Sequence, residues 1–431
     1  MNELSVLDGG EPVFTQAKVF KKNNTIGREE IEAVKVVMES GNLSQFVGAW
    51  GKDFFGGPNV QALELEWSSY FDTKHAIAVN SWTSGLIAAV GAIGIEPGDE
   101  VIVTPWTMSA TTTAIIVWGG IPIFADIDPV TYCISPESVT QKITARTRAI
   151  ISVDIFGQSA DMTKLRAIAD DNKLKIISDT AQAPGVTVGG KFTGTLADIG
   201  GFSLNYHKHI HTGEGGILVT DSDELAFKLR LIRNHAESVV ESADITDLTN
   251  MIGFNFRMGE IEAAIAREQL KKLSSFVSQK QYIAGRLISG LSALQGLILP
   301  RVSNDSSHAY YVFAMRVDVE SKGVTRDEIF DALKKEGVPS LTKKYQNLHL
   351  LPMFKNKIAF GGKNYPWSIT SNGKSIVYAE GLCPVAERIQ NYEYLGLNIC
   401  EYEFTDDEID GIILAFKKVW ASTLFTRKSN T

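Results

Sequence analysis

At 431 residues the chain is long enough for two or three domains, or for one large α/β domain with an appendage. With 44% hydrophobic and 21% charged residues and a formal net charge of -8, its composition is globular and argues against nucleic acid or an anionic membrane as the main partner. The three cysteines, Cys133, Cys383 and Cys400, are too few and too far apart for a disulfide framework or a zinc ribbon, which fits a reducing cytoplasm.

The opening MNELSVLDGGEPVF has no basic patch followed by an apolar core, and no apolar run reaches the length of a bilayer span, so a cytoplasmic protein without a membrane partner is expected. Residues 1–25 read as an irregular arm. Arg28 to Ser40 then has Ile31, Val34, Val37 and Met38 at the spacing of an amphipathic helix. The next stretch, GNLSQFVGAWGKDFFGGPNV, mixes five glycines with Phe46, Trp50, Phe54 and Phe55. It reads as an arm clamped on a neighbouring domain or subunit, or as a wall of the substrate site, and the two are compatible.

From Val60 the pattern becomes regular. A helix (Val60 to Tyr70) leads to the strand AIAVN and then to an apolar helix opened by SWTSG. Strand-like runs recur at Glu100 to Thr104, Ile121 to Asp126, Ala149 to Asp154 and Lys175 to Asp179, separated by helical lengths such as Ser109 to Trp118 and Met162 to Asn172. Such alternation implies an α/β fold with a mostly parallel sheet covered by helices on both faces. Its sites lie at the carboxyl ends of the strands. Beyond Asn234 the chain should leave this large domain. A long helix is expected from Gly259, strands from YYVFAMRV, and helices from VTRDEIFDALKKEG and TDDEIDGIILAFKKVW, together a smaller α+β domain. The expected division is 1–58 for the arm and first helix, 59–258 for the large domain, and 259–431 for the linking helix and smaller domain.

The stretch ADIGGFSLNYHKHIHTGEGGILVT, from Ala197 to Thr220, reads as a strand-loop-strand unit carrying one lysine among three histidines. A lysine kept from water can lose its proton and form a Schiff base with a carbonyl. Ser81, Trp82, Thr83 and Ser84 stand where a strand gives way to a helix, so their N–H groups and hydroxyls can cradle a phosphate; a plain N-cap has the same pattern. Asp179 closes the strand KIISD, with Gln182 three residues on, and can cap a turn or pair with a protonated ring nitrogen. Ser203 ends another apolar run, five residues before Lys208. Together these are the three grips that pyridoxal phosphate requires.

An ordered series of motifs carries a resemblance over nearly the whole chain. These are NSWTSG (Asn80 to Gly85), GDEVIV (Gly98 to Val103), PIFADID (Pro122 to Asp128), FGQSADM (Phe156 to Met162), SDTAQAPG (Ser178 to Gly185), FSLNYHK with HTGEGG (Phe202 to Gly216), and GFNFRMGEIEAA (Gly253 to Ala264). The chain resembles the DegT/DnrJ/EryC1/StrS sugar aminotransferases, which are fold-type-I pyridoxal-phosphate enzymes with a seven-stranded type of sheet. The resemblance implies that Lys208 is the Schiff-base lysine, its spacing agreeing on both sides, five residues after Ser203 and six before Glu214. It implies that Asp179 holds the pyridine nitrogen and that Gln182 lies near the ring's oxygen substituent. Thr83, Ser84 and Ser203 match the phosphate cup, and Asn255 an asparagine reaching the phosphate of the neighbouring subunit, hence a homodimer with shared sites. Where the family stacks an aromatic on the ring, this chain reads PWTMSAT: Met108 takes that position, with Trp106 two residues earlier. The implied activity is amino transfer, by way of the pyridoxamine form, from an amino acid, L-glutamate, to a keto-sugar, expected to be a nucleotide-linked keto-deoxysugar.

His207, His209 and His211 alternate, so on a strand they would share one face, where three imidazoles can hold zinc or copper. No carboxylate or cysteine close by completes a closed site, so no metal is expected, and the histidines are expected to line the cofactor cavity or pack against the strand. Some members of the family have histidine in place of the lysine and remove a hydroxyl from a keto-sugar. Lys208, correctly spaced on both sides, favours the aminotransferase; the alternatives are a pyridoxal-phosphate-dependent sugar dehydratase and a non-catalytic regulatory protein of the same fold.

Overall fold

In the computed structural model, which describes residues 4–318 and 323–426, the apolar runs become β1 (His75–Val79), β2 (Glu100–Val103), β3 (Ile121–Phe124), β4 (Thr147–Val153) and β5 (Lys175–Asp179). A hairpin of β6 (Thr187–Val188) and β7 (Lys191–Phe192) follows, and then β8 (Ile199–Ser203) and β9 (Gly216–Thr220). Seven of these form one sheet in the order β1-β9-β8-β5-β4-β2-β3. Neighbours from β8 to β3 run parallel, and β9 lies antiparallel to both β1 and β8. This is the expected mostly parallel sheet.

The strands read as near-continuous apolar runs because both faces are covered. In β1, Ile77 and Val79 point into one buried cluster with α3 (Trp82–Ala92), α4 (Ser109–Val117) and α7 (Asp223–Arg233). Ala76 and Ala78 point into another with α2 (Pro58–Phe71) and α8 (Glu260–Leu291). Local caps set the helix starts. Ser81 accepts the N–H of Ser84 at 3.1 Å to open α3. The Glu260 carboxylate accepts the N–H groups of Asn59 (2.8 Å) and Val60 (3.2 Å), so the first residue of α8 caps α2.

The smaller domain holds an antiparallel sheet of β10 (Leu297–Ile298), β11 (Phe313–Val317), β12 (Leu341–Thr342) and β13 (Tyr394–Leu397), in the order β10-β11-β13-β12. Helices Arg326–Lys335 and Asp406–Ala421 begin at capping boxes, Thr325 with Glu328 and Thr405 with Glu408. Ile283, Leu287 and Leu291 of α8 pack into the same core, so one long helix serves both domains. Between β12 and β13 the chain returns to the large sheet, where Leu348, Phe354, Trp367 and Tyr378 join its core.

The N-terminal arm docks on the smaller domain: Glu336 accepts from Ser5 Oγ and the Val6 N–H, both at 2.8 Å, and faces Lys418 Nζ at 3.1 Å. The glycine-rich stretch is clamped on the end of α7, where Asn234 Nδ2 donates to the carbonyls of Val47 and Phe54, and the Arg233 guanidinium lies 4.8 Å from the Phe46 ring centroid. Among the described residues no helix is long and apolar enough to cross a membrane.

Candidate active site

Two parallel neighbours bring the candidate residues together. Asp179, the last residue of β5, is register partner to Gly201 of β8, two residues before Ser203. The chain then leaves the sheet. Bonds from the Thr212 N–H to the Leu204 carbonyl (3.0 Å) and from the Leu204 N–H to the Gly215 carbonyl (2.9 Å) close a loop, in which the Lys208 N–H turns back to Asn205 O at 2.9 Å. This loop lies beyond the carboxyl end of β8, where sites of such sheets form, and it holds Lys208 within electrostatic reach of Asp179.

Burial pushes the Lys208 amine down to about 8, against the opposing pull of the Asp179 carboxylate. Its Nζ lies 4.5 Å from the ring centroid of Tyr311. Burial raises the pKa of Asp179, while hydrogen-bond donors and Lys208 favour its anion. Asp179 Oδ1 accepts from Trp82 Nε1 at 2.7 Å and the Ala181 N–H at 3.3 Å. Oδ2 accepts from Thr111 Oγ1 at 3.0 Å, and Thr111 meets Thr107 Oγ1 at 2.8 Å. Gln182 is buried beside them: its Oε1 accepts the Phe156 N–H at 2.8 Å, and its Nε2 reaches the Tyr345 hydroxyl at 3.5 Å.

The remaining candidates are placed as follows. Ser81 is the N-cap of α3 and its hydroxyl meets that of Ser84 at 2.9 Å; Thr83 is exposed on the first turn. Ser203 Oγ accepts the Asn205 N–H at 3.3 Å. Asn255 lies at the same end of the sheet in its own chain, its carbonyl accepting from Asn80 Nδ2 at 3.3 Å and its Oδ1 from Arg257 Nε at 2.8 Å.

The two stacking candidates and the three histidines lie in different surroundings. Trp106 is fully buried, its ring among Tyr132, Phe156, Tyr345 and Tyr394 and its Nε1 donating to Asn347 Oδ1 at 2.7 Å. It is a core residue, whereas Met108, the N-cap of α4, is 67% exposed. The histidines share no strand face, because β8 ends before them. His207 is exposed, His211 intermediate, and His209 buried with Nε2 at 2.8 Å from Ala309 O. Burial pushes His209 down to about 4, a neutral ring at ordinary pH. Among the described residues no group of three or more His, Cys, Asp or Glu is placed to hold a metal ion.

A cavity of about 560 Å³ opens beside Lys208, lined also by Tyr311, Asn398 and Cys400 of the smaller domain and by Lys22 and Asn23 of the N-terminal arm. These residues, with Trp82 as a partner of Asp179 and Thr111, are the ones sequence reasoning missed. The distant ones have no local signal. Trp82 has one in retrospect: glycines at 85, 201 and 216 meet at its position.

The model of the DegT/DnrJ/EryC1/StrS aminotransferase family matches residues 24–373. The spore coat polysaccharide biosynthesis protein SpsC of Bacillus subtilis is 33% identical over 401 residues, 91% of this chain and 95% of that protein. GDP-perosamine synthase of Caulobacter vibrioides is 33% identical over 299 residues, 69% of this chain and 79% of the enzyme. The crystal structure of NtdA from Bacillus subtilis, with its cofactor PMP bound, superposes with a TM-score of 0.74 at 28% identity, covering 96% of this chain and 88% of that one.

Proposed function

The chain belongs to the DegT/DnrJ/EryC1/StrS aminotransferase family, and on that premise we propose that it moves an amino group from L-glutamate to a nucleotide-linked keto-sugar with pyridoxal phosphate as cofactor. The observation that carries this reading is the half-buried Lys208 amine, in the loop after β8, within electrostatic reach of the buried Asp179 carboxylate at the end of the neighbouring parallel strand β5. Similarity to an enzyme named for a GDP-linked sugar supports the acceptor class.

The residues fit the cofactor by their chemistry. Lys208 offers a covalent anchor, Asp179 an anion for the ring nitrogen, and the N-terminus of α3, with Thr83, Ser84 and Ser203, donors for a phosphate. Gln182 would hold the ring's oxygen substituent and Met108 would cover a ring face. Asn255 would reach the phosphate site of a second subunit, so the working unit in this proposal is a homodimer. When bound, the cofactor supplies an electron sink for the bonding pair of the amino acid's Cα–H bond.

The chain's own residues do the rest. Lys208, at about 8, is available as neutral amine and as ammonium near neutral pH, and so takes the Cα proton as general base and delivers it as general acid. Tyr311 presents its ring to the ammonium form at 4.5 Å and steadies the side chain when it is free. Asp179 is shielded from water, which raises its pKa, and Trp82, Thr111 and the Ala181 N–H oppose that rise by donating to its anion. The test is a screen of nucleotide-linked keto-sugars with L-glutamate, read by mass spectrometry of the sugar and by 2-oxoglutarate release. The expected product gains an amine in place of the ketone. A sugar that loses a hydroxyl and gains no nitrogen would establish the dehydratase instead.

A further inference from the structure

Trp82 is the first residue of α3. Its indole packs against Gly85 of the same helix, is only 6% exposed, and ends with Nε1 at 2.7 Å from Asp179 Oδ1. The sheet is shaped for this ring. A Cβ on Gly201, the register partner of Asp179, would lie 1.9 Å from Trp82 Cζ3 and 2.0 Å from Cη2. A Cβ on Gly85 would lie 2.7 Å from Cε3, and one on Gly216 would lie 2.7 Å from the Trp82 backbone nitrogen. No side chain larger than hydrogen fits at position 201 while the indole holds its place, so Gly201 and Gly85 admit the ring and Gly216 admits the backbone that carries it.

We propose that Trp82 is a positioning residue: resting on the cofactor reading above, its indole N–H fixes the plane and orientation of the Asp179 carboxylate toward the ring nitrogen of pyridoxal phosphate. The geometry assigns a separate donor to each oxygen, Trp82 to Oδ1 and Thr111 to Oδ2, which stops the carboxylate from rotating. A charged acceptor gains more from a buried donor than a neutral one does, so the indole also favours the anion. Three other groups act on the same charge: Lys208 from the loop after β8, Asp154 just beyond β4, and Tyr345 from the segment after β12.

Trp82→Phe keeps the aromatic ring over Gly201 and deletes the N–H. Pyridoxal phosphate titrated into the variant should bind about ten- to a hundredfold more weakly, the value of a lost hydrogen bond to a charged group. The acid limb of the affinity should also move to higher pH, because the carboxylate is more easily protonated without the indole. Loss of packing alone would weaken binding without moving that limb. Binding by the unaltered chain, with the variant showing the same Kd and the same acid limb, overturns the proposal alone. Failure of the unaltered chain to bind pyridoxal phosphate overturns the cofactor reading and this proposal with it. If Trp82→Phe does not fold, the test moves to the native chain labelled with 15N-tryptophan. One indole N–H resonance must shift on adding pyridoxal phosphate and again in Asp179→Asn, and the absence of such a resonance refutes the assignment.

Discussion

Burial of the Lys208 amine has a measurable consequence for its reactivity. A group titrating at about 8 is roughly one tenth neutral at pH 7, whereas an ordinary lysine at 10.5 is neutral about three times in ten thousand, so the neutral amine is enriched about 300-fold. Competitive reductive methylation with formaldehyde, read lysine by lysine through peptide mass spectrometry, reports that fraction directly. The labelling rate at Lys208 should rise about tenfold per pH unit up to about pH 8 and then level off, while exposed lysines keep rising. The carboxylate of Asp179 is the largest influence holding the proton on Lys208, so in Asp179→Asn the break should move to lower pH. The sign follows from the two causes: burial favours the neutral amine, and removing the anion leaves burial less opposed. A rate at Lys208 that climbs like the surface lysines through pH 10, or a break that stays in place in Asp179→Asn, would refute the paired-site argument.

Further outcomes can be checked independently. Lys208→Ala should retain cooperative thermal unfolding and lose amino transfer to below detection, and full turnover in that variant would remove Lys208 from its role. Gly201→Ala forces a methyl group to within 1.9 Å of the Trp82 ring and should lower stability by about 1–3 kcal/mol in urea titration; an unchanged midpoint would mean that the indole does not rest there. Glu336→Ala strands the buried Lys418 and frees Ser5 and Val6, so it should cost about 3–5 kcal/mol and make the N-terminal arm sensitive to brief proteolysis. Wild-type resistance in the variant would argue that the arm is held by its other contacts, among them the packing of Val13, Phe14 and Phe20 and the ion pairs of Lys18 and Lys21.

Much of the large domain is legible in the sequence because its strands are buried on both faces and therefore form unbroken apolar runs. Arg28–Ser40, Met162–Asn172 and Lys175–Asp179 have the bounds their periodicity predicts. Lys208 is legible by spacing and by the family resemblance. The place of the histidines is not legible from their alternation, which marks a strand face only where the strand continues, and β8 ends at Ser203, where the ladder to β9 closes around a loop. Trp106 is not legible either. An aromatic beside a strand end suits a ring-stacking role equally well as a core role, and only the neighbours Tyr132, Phe156 and Tyr394 decide for the core.

The sequence by itself determined the alternation of strands and helices, the sheet's character, and the residue types at its strand ends, because these follow from local periodicity and short motifs. Only the tertiary structure decided what each strand-end residue faces. The electrostatics of Lys208 depend on burial and on a carboxylate 29 residues earlier in the chain. The orientation of Asp179 depends on an indole 97 residues before it, admitted by a glycine from β8. The walls of the cavity come from both ends of the chain, where Lys22 and Cys400 meet beside Lys208. Contacts of that range are set by how the two domains and the arm pack against each other, and no local pattern encodes them.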